Sequence, residues 1–358
     1  PAFRLRLRHA ERFVPSLLLG HLIGDSSYAV KSEVDWDERL YLVGATAGLL
    51  PTDESFPPSP DGEPLTLQRS MSARDGLVLV HKPHDELRPQ PDRPSRPEFS
   101  GYHVLLVGDG EGGGAVGRPF QVVKASLVFE RNRRCYLQVQ TFSSELGTWG
   151  PCFQIQTPQI DGHASQALKG SRNYVVGSAV HWLCLTDTAG YVLKLRVRAA
   201  VAPRLTVTEL PESYPYNGGW RVKHLLATMA AGGRPAVLAG DMEKISAWAQ
   251  SKHATRWAWD QQPQLVIEYE AISRFLSSVG GGTRLQEAWP TEQVELDWFA
   301  ERSGIVLVRM HDCYFLWLDL QSKDIVRCTS DPRIRYRTMY YPCEMDLSTW
   351  VPTFSSSI

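Results

Sequence analysis

Residues 177–197 read GSAVHWLCLTDTAGYVLKLRV, two apolar runs joined by a short polar turn. Short runs rich in β-branched and aromatic residues, bounded by turn-forming residues, are typical of antiparallel strands. A similar arrangement of strands, a turn and a nearby Trp recurs in three other segments, which begin at residues 122, 234 and 296. The four segments start 55 to 62 residues apart, and this loose repeat predicts several sheets of similar build.

Outward from these segments, short apolar runs broken by Gly, Pro, Asn, Asp and Ser extend from about residue 38 and give roughly twenty candidate strands. One sheet cannot bury both of its faces, whereas sheets stacked around an axis bury them against each other. We therefore predict an all-β propeller of about six, or five, four-stranded blades over residues 31–358, closed by pairing of the last strand into an early blade. A β-sandwich or two small β domains are the alternatives.

Two short stretches have a helical pattern. Residues 9–23 combine apolar and polar positions at helical spacing, and Pro15 fits the first turn of a helix. We predict that residues 1–30 form a short helical segment ahead of the propeller. A second short helix is expected at residues 269–278, which read YEAISRFLSS.

The composition excludes several classes of function. The chain has 38 Lys and Arg against 39 Asp and Glu, so nothing favours a nucleic acid or an anionic membrane as partner. No apolar run approaches the roughly 20 residues that span a bilayer, and no signal peptide is visible. The six Cys residues form no C-x-x-C pair, which indicates reduced thiols in an intracellular protein of the cytoplasm, the nucleus or both.

Motifs that would indicate catalysis are weak. Gly108, Gly110 and Gly113 match G-x-G-x-x-G, but the residues that follow are strand-like, so we predict a hairpin loop and no dinucleotide site. His181 lies beside Trp182 in a strand and is expected to pack in the core. Asp319 and Asp346 are expected to bind turn amides. We predict no enzymatic activity, no cofactor and no metal.

The segment ESYPYNGGW at residues 212–220 is the candidate binding loop. It places Tyr214, Tyr216 and Trp220 on a Gly- and Pro-containing loop, and exposed aromatic residues on loops are frequent anchors of protein interfaces. We predict these three residues as protein-binding contacts. The alternative is that the loop folds back on the rim of the domain and buries them.

Several segments, taken in order, resemble the C-terminal kelch-like region of plant F-box proteins of the grass type. RLRHAERFVPSLLLG resembles the linker after the F-box, and SARDGLVLV resembles the opening of the first blade. LQVQTFSSELGTWG and GSAVHWL resemble blade strands, and YYPCEMDLSTWVP resembles the closing tail. These segments begin at residues 6, 72, 137, 177 and 340 and are spread over most of the chain.

This resemblance implies a non-catalytic substrate-recognition module of a cullin-RING ubiquitin ligase, with a protein substrate as partner. The sequence departs from the family in lacking the F-box itself, so contact with the ligase adaptor is expected only if an F-box precedes Pro1. It also has HKPHDELRPQPDRP after residue 80, where the family has a C-N-P-x-T-G strand. A propeller-type hydrolase and a degenerate copy with no ligase role are the alternative functions.

Overall fold

The fold was taken from a computed structural model. It describes residues 18–24, 40–44, 69–74, 77–81, 102–107, 119–129, 135–157, 160, 164–166, 173–198, 201–214, 224–230, 233–241, 243–253, 256–278, 294–310, 314–330 and 340–344.

The described part of the chain is almost entirely β-structure, with 24 strands and one helix, α1 (Tyr269–Ser278). The strands are β1 (Leu18–Gly24), β2 (Leu40–Gly44), β3 (Arg69–Arg74), β4 (Leu77–His81), β5 (Tyr102–Val107), β6 (Phe120–Phe129), β7 (Cys135–Ser143), β8 (Thr148–Trp149), β9 (Phe153–Gln156), β10 (Ala164–Gln166), β11 (Asn173–Val176), β12 (Ala179–Thr186), β13 (Gly190–Arg198), β14 (Val201–Glu209), β15 (Leu225–Ala230), β16 (Arg234–Gly240), β17 (Lys244–His253), β18 (Arg256–Trp259), β19 (Gln264–Glu268), β20 (Glu295–Phe299), β21 (Ile305–Met310), β22 (Tyr314–Asp319), β23 (Ile325–Ser330) and β24 (Tyr340–Glu344).

Four antiparallel sheets of four or five strands form the blades of a propeller arrangement. They contain β5 to β9, β10 to β14, β15 to β19 and β20 to β23, so each sheet uses strands that follow one another in the sequence. Neighbouring sheets contact each other, since β15 lies beside β20 and also beside β11 and β12. Each of the four repeated sequence segments falls in a different one of these sheets, which confirms the predicted repeat.

The four larger sheets are fewer than the blades that the sequence predicts, about six or five. Beyond the four larger sheets, the described strands form only a three-stranded sheet, β2–β1–β24, and a two-stranded one, β3–β4. The Pro- and charge-rich residues 51–66 and 83–99, which flank β3 and β4 in the sequence, lie outside the described residues.

The first and last described strands pair with each other. β1 lies between β2 and β24 and is antiparallel to both, with Leu22 opposite Leu42 and Tyr341. The prediction that the last strand closes the ring by joining an early sheet is therefore confirmed.

The prediction of a helix over residues 9–23 is wrong for its described part, because residues 18–24 form the strand β1. Gly20 and Gly24 are poor helix formers, and the strand obtains backbone hydrogen bonds from neighbours on both sides. Long-range pairing therefore outweighs a weak local preference. The three-stranded sheet also crosses the predicted boundary between residues 1–30 and 31–358. The predicted helix at residues 269–278 is confirmed as α1.

The core lies between the sheets, and several strands bury residues on both of their faces. All eight residues of β12 are buried. Trp182 and Cys184 point to one side, into an apolar cluster shared with the β5 to β9 sheet. Leu183 and Leu185 point to the other side, into a cluster shared with the next sheets in sequence. This two-sided burial is what stacked blades require.

Candidate functional site

The outer edge of the β5 to β9 sheet exposes an unusual amount of apolar surface. We call residues 145–156 the rim segment; it comprises most of the turn after β7, the strand β8, and the strand β9. Leu146 is 76% exposed, Trp149 is 44% exposed and Phe153 is 36% exposed. These are three of the six large apolar side chains that stand out as exposed in the described part of the chain. Large apolar groups concentrated on a surface commonly mark an interaction site.

A tightly bonded turn holds the start of the rim segment. The Ser144 amide donates to the Phe120 carbonyl at 3.0 Å, and the Phe120 amide donates to Ser144 Oγ at 2.8 Å. The Gly147 amide donates to the Ser143 carbonyl at 2.9 Å, and Gly147 has a φ of +63°, which favours glycine. This explains the spacing of Ser and Gly in FSSELGTW. The turn fixes where Leu146 and Trp149 are displayed.

Aromatic residues support Trp149 from within the sheet. Its ring centroid lies 5.6 Å from that of Phe142, its partner across the β7–β8 pair. It also lies 6.4 Å from the centroid of His103 in an edge-to-face arrangement. Phe142 in turn lies 6.2 Å from Phe120. One side of the indole is therefore held while the rest faces solvent, as in a pre-positioned interface anchor.

The rim segment is almost free of charge. Glu145 is its single charged residue, and its other polar side chains belong to Thr148, Cys152, Gln154 and Gln156. Depletion of charge beside exposed aromatic residues is characteristic of the centres of protein interfaces.

Tyr214, the one described residue among the three predicted protein-binding contacts, is buried. Tyr214 is only 3% exposed, and its ring packs against Trp248 with centroids 5.0 Å apart. Its hydroxyl donates to the Leu238 carbonyl at 3.3 Å. This is the folded-back arrangement given above as the alternative, so the Tyr214 ring is not displayed to a partner. Tyr216 and Trp220 lie outside the described residues, and their role in binding stays a prediction.

His181 is packed in the interior, as predicted. It is 1% exposed, and its ring stacks on Tyr174, its cross-strand partner, with centroids 4.6 Å apart. Neither ring nitrogen of His181 has a hydrogen-bond partner among the residues that the structure describes. Burial, with the nearby charges of Lys194 and Arg196, lowers the pKa of His181 to about 3. The ring is therefore neutral at physiological pH and serves packing.

The buried carboxylates of the described residues bind backbone amides. Asp319 Oδ1 accepts from the Gln321 amide at 2.7 Å, which confirms the turn role expected for Asp319. Glu344, in β24, accepts from the amides of Arg302 at 3.1 Å and Ser303 at 2.8 Å. Glu344 therefore joins the closing strand to the β20–β21 turn. Asp346 and the Gly-rich stretch at residues 108–117 lie outside the described residues.

Two further observations concern metals and membranes. Across the residues that the structure describes, no group of three or more His, Cys, Asp or Glu side chains is placed to hold a metal ion. Within the same ranges, no helix has the length and apolar character needed to cross a bilayer.

The sequence did carry a signal for the rim segment. LQVQTFSSELGTWG, which resembles a blade strand, overlaps the start of the rim segment. Trp149 and Phe153 lie in that segment, which has one charge among twelve residues. Strand pattern alone does not distinguish an outer strand from an inner one, so their exposure could not be predicted.

Comparison with known proteins identifies a family for the chain. No curated protein matches it. Residues 61–354, more than four-fifths of the chain, match the family described as a domain of unknown function, DUF7595. This match includes the rim segment and every strand from β3 to β24. The chain is therefore a member of the DUF7595 family.

Proposed function

We propose that this protein is a non-catalytic interaction domain that binds another protein through the rim segment. The observation that carries the proposal is the exposure of Leu146, Trp149 and Phe153 in a segment that has one charge among twelve residues. Burying apolar surface stabilises a complex by roughly 25 cal/mol per Å², and aromatic anchors often dominate that gain. Hydrogen bonds already fix the turn at the start of the rim segment, so less conformational entropy would be lost when a partner binds.

The resemblance to plant F-box proteins supports a more specific role. In that reading the domain recognises the protein substrate of a cullin-RING ubiquitin ligase, and an F-box elsewhere in the full protein contacts the ligase adaptor. The rigid sheets would then hold the rim segment in place for substrate capture. This role rests on the segments quoted above and is separable from the binding proposal.

The alternative functions receive less support. A propeller hydrolase needs carboxylates converging at one open site, whereas the buried Asp319 and Glu344 are engaged with backbone amides. A degenerate copy would be expected to lose core packing. The described sheets instead bury continuous apolar clusters on both faces.

The binding proposal is tested by site-specific photocrosslinking followed by affinity measurement. A photoreactive amino acid is placed at position 149, with exposed position 262 in the β18–β19 turn as control, and cross-linked proteins are identified. The partner is then purified and titrated against wild type and the W149A/F153S variant. We expect binding at least about tenfold weaker in that variant, a loss of roughly 1.4 kcal/mol.

The matched control is Val326→Ser. Val326 is 47% exposed on β23, outside the rim segment, so this change removes a similar exposed apolar group and should leave affinity unchanged. Equal binding by wild type and W149A/F153S would contradict the proposal. The ligase role is tested separately, by asking whether the full-length protein captures the ligase adaptor. Failure to capture the adaptor would reject the ligase role and leave the binding proposal standing.

A further inference from the structure

Within the described part of the chain, one edge of the strand β9 is unpaired, and β14 lies close to β9. β9 pairs with β7, and no other described strand pairs with it. The Thr157 amide donates to the Cys135 carbonyl at 2.9 Å, which marks Thr157 as a position whose backbone faces β7. Because backbone direction alternates along an antiparallel strand, Gln154 and Gln156 turn their N–H and C=O groups away from β7. Both residues are exposed.

The outer strands of the other three blades carry the features that protect open edges. β14 contains Pro203, Arg204 and Glu209, β19 contains Glu268, and β23 contains Arg327. Charged residues and Pro on an edge strand discourage the addition of another strand. β8 and β9, which read TW and FQIQ, have neither.

The side chains of β9 define the partner that would fit. Ile155 packs partly against the core cluster below it, and Phe153 is exposed beside it on the same side of the strand. Gln154 and Gln156 present uncharged amides on the other side. β9 itself carries no charge that could pair with a charged strand laid along it. An uncharged strand with apolar or β-branched residues would instead cover Phe153.

We propose that the open edge of β9 binds an extended, uncharged and apolar segment of the partner protein as an added strand. This inference rests on the proposed function and specifies its partner. Backbone groups of Gln154 and Gln156 would supply the hydrogen bonds, while Phe153 would supply a side-chain contact. The four residues of β9 limit the added strand to about four or five residues.

The probe is a display library of random twelve-residue peptides, from which those that bind the complete chain are selected. Peptides recovered are titrated against wild type, Gln154→Pro, Gln154→Ala and W149A/F153S. Gln154→Pro removes an outward N–H without disturbing pairing to β7, whereas Gln154→Ala keeps that N–H and changes only the side chain. Circular dichroism and thermal melting verify that each variant is folded.

We expect the recovered peptides to be uncharged and rich in apolar and β-branched residues. Wild type and Gln154→Ala should bind these peptides equally. Binding to Gln154→Pro should fall at least about tenfold, because a hydrogen bond is lost and the ring obstructs the incoming strand. Hydrogen exchange at the Gln156 amide should slow when peptide is bound.

The other outcomes overturn the inference in distinguishable ways. If Gln154→Pro binds as wild type does but W149A/F153S does not, the rim segment binds through side chains alone; the strand addition is refuted and the proposed function stands. If no variant affects binding, or no peptide is recovered, the strand addition is refuted, and the proposed function is decided by the titration of the purified partner. If light scattering shows a dimer that Gln154→Pro converts to monomer, the occupant of the edge is a second copy of this chain.

Discussion

Acidification should destabilise the protein through one buried side chain, His181. Its two ring nitrogens are buried without partners, and desolvation together with the charges of Lys194 and Arg196 lowers its pKa to about 3. In the unfolded chain the pKa of a histidine is about 6.5. Between these values the unfolded state binds a proton that the folded state does not. The stability is therefore complete above about pH 6.5 and falls as the pH is lowered towards 3.

The magnitude follows from linkage. Between about pH 7.5 and about pH 5, the proton taken up by unfolded His181 should reduce the free energy of unfolding by about 2 kcal/mol. His181→Phe removes the titrating group and keeps a ring that can stack on Tyr174. It also removes two unsatisfied nitrogens, so its stability near neutral pH should equal or exceed that of wild type.

The assay is urea unfolding, followed by tryptophan fluorescence, of wild type and His181→Phe at both pH values. Other groups titrate equally in the two proteins, so the difference between their pH dependences isolates His181. We expect wild type to lose about 2 kcal/mol more than the variant over this interval. Identical pH dependences would refute the assignment of a buried neutral histidine.

Three further predictions concern stability. Glu344→Gln weakens two charge-assisted hydrogen bonds to backbone amides and should lower the free energy of unfolding by about 2 kcal/mol, measured by urea titration; an unchanged midpoint would speak against the bridge. Deleting residues 340–352 removes the closing strand, and circular dichroism should show loss of cooperative melting; a retained melting temperature would contradict ring closure. Gly147→Ala places a side chain at a φ of +63° and should cost about 1 kcal/mol, whereas Gly147→Asn should cost less; equal costs would show that backbone conformation is not the cause.

Local pattern was sufficient to predict most of the strands. Runs such as GLVLVHK at residues 76–82 and FQVVKASLVFE at residues 120–130 became β4 and β6, because alternating or continuous apolar residues between turn formers have few other stable arrangements. The helix at residues 269–278 was also predictable from its spacing.

The errors arose where distant residues decide the outcome. β1 is a strand because β24, more than 300 residues away, supplies one of its neighbours. Tyr214 is buried because Trp248 and Leu238 meet it from another segment. Blade number depends on how many segments complete a sheet, and no single segment encodes this. Burial and register of this kind are tertiary properties, which override local propensity.

The pairing of β1 with β24 has a consequence for synthesis of the protein. The ribosome makes β1 more than 300 residues before β24, which borders it on one side. Until β24 has been made, one edge of β1 lacks this native neighbour and is open to aberrant association. A product that stops before residue 340 cannot complete this sheet. The native β2–β1–β24 sheet can therefore form only when the message has been translated through β24.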